Sequence, residues 1–140
     1  MRPNLAEFTP EETLVAIMIA VSASDQRMRT AELVTIERIV NHLPAFADFD
    51  PKRLKDISSV VLDLFAEEDG LDILWDSVRN TLPERLFETA YAIACDVAAA
   101  DGTLRESELQ FLKEIRYQLE IDRLHAAAIE RGARARHAKV

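Results

Sequence analysis

AIACDVAAADGTLRESELQFLKEIRYQL, residues 92–119, decides the fold. It reads as an apolar helix, a stop at Asp101-Gly102, and a second helix with Glu108 in its opening turns. The same pattern stands 76 residues earlier: Ala16-Ile17 matches Ala92-Ile93, Val21 matches Val97, and Ala23 matches Ala99. Asp25 then matches Asp101, Arg29 matches Arg105, Glu32-Leu33 matches Glu108-Leu109, Ile39 matches Ile115, and Leu43 matches Leu119. A repeat of two helical hairpins in so short a chain predicts an internally pseudo-symmetric helical fold. Its shared acids, one at the turn and one seven residues on, are the positions where chemistry can be sought.

Working outward, Thr9-Pro10-Glu11-Glu12 is a capping box with proline at the first helical position, and it starts a helix that runs to about Ser24. Leu14, Ile17, Met18 and Val21 give that helix one apolar face. Ser22, Ser24 and Asp25 compete for backbone hydrogen bonds and favour a turn after it. The spacing of Leu33, Ile36, Val40 and Leu43 predicts a second helix over 30–43. Asp50-Pro51 starts a third, buried through Leu54, Ile57, Val61, Leu64 and Phe65, which Glu67-Glu68-Asp69-Gly70 stops. A fourth over 71–81 gathers Leu74, Trp75 and Val78. Pro83 opens a fifth over 84–100, whose small face (Ala90, Ala94, Ala98) admits another helix closely. A sixth begins after Gly102, with Thr103 and Glu106 as its capping box and Leu109, Leu112, Ile115 and Leu119 on its buried side. Asp122 caps a seventh that ends near Gly132. The expected architecture is all-α: one domain of about seven helices over 1–130, then a basic, frayed tail over 131–140.

Composition agrees. With 3 Gly, 5 Pro and 49 % hydrophobic residues in 140, the chain favours helix and can bury a core without staples. Its 25 acids against 17 bases, net −8, argue against nucleic-acid binding, which needs a clustered basic face. The single cysteine, Cys95, lies on an apolar run, fits a reducing cytoplasm and reads as a buried small hydrophobe. The longest apolar stretch, 14–23, is too short to span a membrane.

The repeated acids admit two readings. Asp101-Gly102 followed by Glu108 resembles the second half of an EF-hand loop, but the upstream ligand positions are Val97 and Ala99, or Val21 and Ala23 in the first repeat, where Gln26 replaces the glycine. EF-hands are excluded. Asp25, Glu32, Asp101 and Glu108 nevertheless offer hard oxygen ligands for Ca²⁺ or Mg²⁺ if the two hairpins bring them together. The other reading is structural: acids before and inside a first helical turn cap free N–H groups and complement the helix dipole. His42, His125 and His137 lack zinc-ligand spacing, and no phosphate loop, nucleophile elbow or HExxH is present, so no enzyme is expected.

The second motif, 92–112, resembles the signature of the TerB-like tellurite-resistance family, and 19–33 resembles its first motif, in the same order and separation. The similarity runs from about Glu11 to Ala128. It implies a helical bundle of about seven helices and a cytoplasmic bacterial stress-response protein. It also implies divalent-cation binding through Asp25, Glu32, Asp101 and Glu108, a turn role for Gly102, and work in protein complexes near the inner membrane. The alternative is a protein–protein interaction scaffold with no metal site.

Overall fold

Helix α1 (Pro10–Ala23) is set by its cap: the Thr9 hydroxyl accepts from the Glu12 N–H at 3.2 Å, and the Glu12 carboxylate accepts from the Thr9 N–H at 3.0 Å. The computed structural model describes residues 5–24, 27–102 and 104–140. Six further α-helices follow: α2 (Thr30–His42), α3 (Leu54–Phe65), α4 (Gly70–Thr81), α5 (Phe87–Ala98), α6 (Glu106–Gln118) and α7 (Arg123–Arg136). Short 3-10 turns lead into α3 and α5, and the described residues contain no strand.

The bundle is built round α1, which packs against α2, α3, α4, α5 and α6. Its periodicity predicts one apolar face, yet every residue from Thr13 to Ala23 is buried. Val15, Ala16, Ile19 and Ala20 are as enclosed as Leu14 and Ile17. No charged residue falls between Glu12 and Asp25, so no side of this helix has to reach water. The second central helix, α5, packs on α1, α2, α6 and α7, and its Ala90, Ala94 and Ala98 are fully buried, as the small face requires.

Three expectations need correction. Leu33 and Leu109 are 38 % exposed rather than core, because the preceding glutamate in each repeat takes the inward position. Helix α4 starts at Gly70, one residue before the expected 71, so the glycine that follows the stop of α3 is itself helical; an added Cβ would lie 1.7 Å from the Leu64 carbonyl oxygen, so only glycine allows this corner. Helix α7, capped by Asp122 through the Leu124 and His125 N–H groups, continues past Gly132 to Arg136. Buried Ala133 and the Arg136–Asp96 ion pair at 2.7 Å hold residues 131–136 on the bundle, where a frayed tail was expected. Among the described residues no helix is long and apolar enough to cross a membrane.

Candidate functional site

The two hairpins, α1–α2 and α5–α6, present the same device. Helix α2 begins after Arg29, and Glu32, its third residue, turns back to accept the Arg29 N–H at 3.3 Å. Helix α6 begins after Arg105, and Glu108 accepts the Arg105 N–H, also at 3.3 Å. Each glutamate thus supplies the returning half of a capping box with arginine at the cap position. In α6 this role belongs to Glu108 and Arg105 rather than to Glu106 and Thr103, and Thr103 lies outside the described residues.

Capping alone does not require burial, and both carboxyl groups are wholly buried. They meet each other in hydrogen-bonding contact at the centre of the fold. On each, one oxygen is occupied: Glu32 Oε1 takes the Arg29 N–H and the Ser22 hydroxyl at 3.2 Å, and Glu108 Oε1 takes the Arg105 N–H. Among the described residues, the other oxygen of each, Oε2, is buried with no N–H or O–H donor apart from the facing carboxyl group. Two anionic carboxylates in this position would repel in a low-dielectric setting, so one must carry a proton or a cation must stand between them. Burial, and then the neighbouring Glu32, push the Glu108 carboxyl up to about 8, against the opposing pull of the Arg105 N–H and guanidinium.

Around this pair lies a ring of charge. Arg105 Nη1 donates to Asp101 Oδ2 at 2.9 Å and lies 3.5 Å from Glu108 Oε1. The repeat-related Arg29 approaches the same Asp101 oxygen at 3.9 Å. Of the four acids singled out in the sequence, Glu32 and Glu108 touch, and Asp101 joins them through the arginines. Asp25 lies outside the described residues. Gly102 holds a left-handed conformation at φ 80°, as its turn role demands. The described residues gather no group of three or more acid, histidine or cysteine side chains fit to hold a metal ion.

Sequence reasoning matched Arg29 with Arg105 but gave neither a role, and read Ser22 as a turn former. Ser24 fills that part, donating to the Val21 carbonyl at 2.8 Å, while buried Ser22 serves Glu32. A second polar group was missed altogether. The Tyr91 hydroxyl donates to Glu130, and Arg116 Nη1 donates to the same carboxylate at 3.3 Å, tying α5, α6 and α7 together. Cys95 lies one turn on from Tyr91 and is buried, which drives its thiol up to about 12 and keeps it protonated, as expected of a core residue.

The family model described as tellurite resistance protein TerB matches residues 11–131. No curated protein and no solved structure matches the chain.

Proposed function

The chain belongs to the TerB tellurite-resistance family, and we propose that the domain is a non-enzymatic, cation-responsive module of the bacterial stress response. In this reading it binds a divalent cation, Ca²⁺ first among the candidates, at Glu32 and Glu108. The observation that carries the reading is the pair of buried Oε2 atoms, one from each hairpin, that have no donor among the described residues. Hard carboxylate oxygens suit Ca²⁺ and Mg²⁺. A bound cation would supply the positive charge that lets both carboxylates ionise together. The chain's own residues do the rest: Ser22 and the Arg29 N–H orient Glu32, and the Arg105 N–H orients Glu108. Asp101, held by Arg105, stands at the edge of the pair, and the repeat assigns Asp25 to the same ligand set. Because each hairpin contributes one glutamate, occupancy would brace α2 against α6 and alter the surface offered to partner proteins in the cytoplasm.

The test is a thermal melt of chelator-treated protein with and without millimolar Ca²⁺, Mg²⁺ or Zn²⁺. A ligand of the native state stabilises it by mass action, by about 2.7 kcal/mol at a hundredfold excess over Kd, and so raises the midpoint. Ca²⁺ should raise it in the parent chain, and Glu32→Gln or Glu108→Gln should remove the rise while leaving helical content intact. A melt insensitive to every ion would discard the cation reading.

A second reading rests on the same atoms. One shared proton satisfies both Oε2 oxygens with no ligand at all, making the pair a structural link between the hairpins and the domain an interaction scaffold. It predicts ion-independent melts and partner binding that survives chelator.

A further inference from the structure

Between the α3–α4 corner and α6 runs a cleft of about 920 Å³ that the carboxyl pair does not use. Its floor is aromatic and crosses three helices. Phe65 from α3, Trp75 from α4 and Phe111 from α6 form one aromatic cluster, with ring centroids 5.4 Å apart for the tilted Trp75–Phe111 pair and 6.4 Å for the edge-to-face Phe65–Phe111 pair. Leu62 and Leu71 stand on its edge, 46 % and 45 % exposed. The rim is acidic on both sides: Glu67, Glu68 and Asp72 at the corner, Glu114 on α6. Among the described residues lining the cleft there is no lysine or arginine, and no ion pair among them neutralises any of these four acids. The sequence explains the imbalance, since no base occurs between Lys55 and Arg79 while seven acids do: Asp56, Asp63, Glu67, Glu68, Asp69, Asp72 and Asp76.

We propose that this cleft is a docking groove for a basic amphipathic helix of a partner protein. Two exposed leucines beside a floor of buried Trp75 and Phe111 and half-buried Phe65 make an apolar channel crossing three helices, the form in which a groove receives the apolar stripe of a helix. The charge selects the occupant. A helix that lays a leucine stripe into the groove meets acids along both flanks, so lysines or arginines on either side of its stripe are drawn in and acidic helices are repelled. Anionic lipid surfaces and nucleic acids are disfavoured by the same rim. The groove does not depend on the carboxyl pair and would be present under either reading of that pair.

Trp75 is the chain's only tryptophan and lies in the groove floor, so its emission reports occupancy. The probe is a tryptophan-free peptide of leucine and lysine, about 18 residues or five turns, with leucine at helical spacing. It is compared with a glutamate-for-lysine twin and with a shuffled peptide of the same composition. Titrating the full chain with the lysine peptide should give a saturable shift in emission. The triple variant Glu67→Lys, Glu68→Lys, Asp72→Lys and the double variant Leu62→Ser, Leu71→Ser change only exposed positions. Each should weaken binding by about tenfold or more, the equivalent of about 1.4 kcal/mol, with unchanged far-ultraviolet dichroism. The glutamate twin and the shuffled peptide should not saturate. Equal binding of either control peptide, or variants that bind as the parent does, would overturn the proposal. Concentration-dependent self-association that the double variant abolishes would also overturn it, by naming a second copy as the occupant.

Discussion

Glu108 keeps its proton near neutrality because the folded chain offers its charged form too little: one N–H at 3.3 Å, a guanidinium at 3.5 Å, and a second carboxyl group in contact. Its folded value, about 8, is above the ordinary glutamate value of 4.5. The native state therefore binds more protons than the unfolded chain between those limits, and stability must fall as pH rises through that window. The melting midpoint should drop by several degrees from pH 5 to pH 8, at roughly 3–4 °C per kcal/mol for a domain of this size. His125, raised by Glu88 beside it, contributes in the same direction but is exposed and screened. Glu108→Gln separates the two: its amide can donate to Glu32 and still accept from Arg105, so the variant should keep only the small His125 decline between pH 6 and pH 8. A parallel decline in parent and variant would show that the pair does not hold the proton. The sequence made the repeated acids visible but not this pairing. Spacing shows that Glu32 matches Glu108, while their contact depends on how α2 and α6 approach each other across the molecule.

At the scale of elements, the starts of helices were the most readable feature, because capping is local chemistry. Thr9-Pro10-Glu11-Glu12 forms its box as written, and Asp50 and Asp122 accept N–H groups at the starts of their turns. Thr9→Ala should lower stability by about 1 kcal/mol in denaturant unfolding, the usual worth of such a cap. The α3–α4 corner was legible to within one residue, but the reason Gly70 must be glycine lies six residues back. Its hydrogen atom faces the Leu64 carbonyl, where a methyl group would sit at 1.7 Å from oxygen. Backbone cannot yield as a flexible side chain can, so Gly70→Ala should cost about 3 kcal/mol or more, at the upper end of single-substitution effects. A loss below about 1 kcal/mol, the ordinary centre of such effects, would mean that α3 and α4 separate easily there. The same corner forms one wall of the acidic groove, so this variant should also weaken the lysine-peptide titration.

Over the whole molecule, the helical class was legible from composition and periodicity, and the centre of the bundle was legible only in part. A charge-free run from Thr13 to Ser24 already marks a helix enclosed on all sides, although its strongest period suggests one face. What the order of residues cannot convey is that five helices surround α1, while α7 rests chiefly on α5. That asymmetry has a dynamic consequence. Opening α1 exposes side chains packed on five neighbours and so amounts to unfolding the domain. Opening α7 uncovers Ala126, Ala133, half-buried Ile129 and the α5 face beneath them, and breaks the Arg136–Asp96 and His125–Glu88 pairs, which are individually weak, together with the Glu130 contacts to Tyr91 and Arg116. Hydrogen exchange should then report two tiers. Amides of α1 and the middle of α5 should exchange only at the free energy of global unfolding, and those of α7 at a lower one. Asp96→Ala, which releases both Arg136 and His137, should speed exchange in α7 and leave α1 unchanged at constant global stability. Exchange of α7 at the global rate would instead make it a full member of the cooperative core, joined through the Tyr91–Glu130–Arg116 contacts that tie it to α5 and α6.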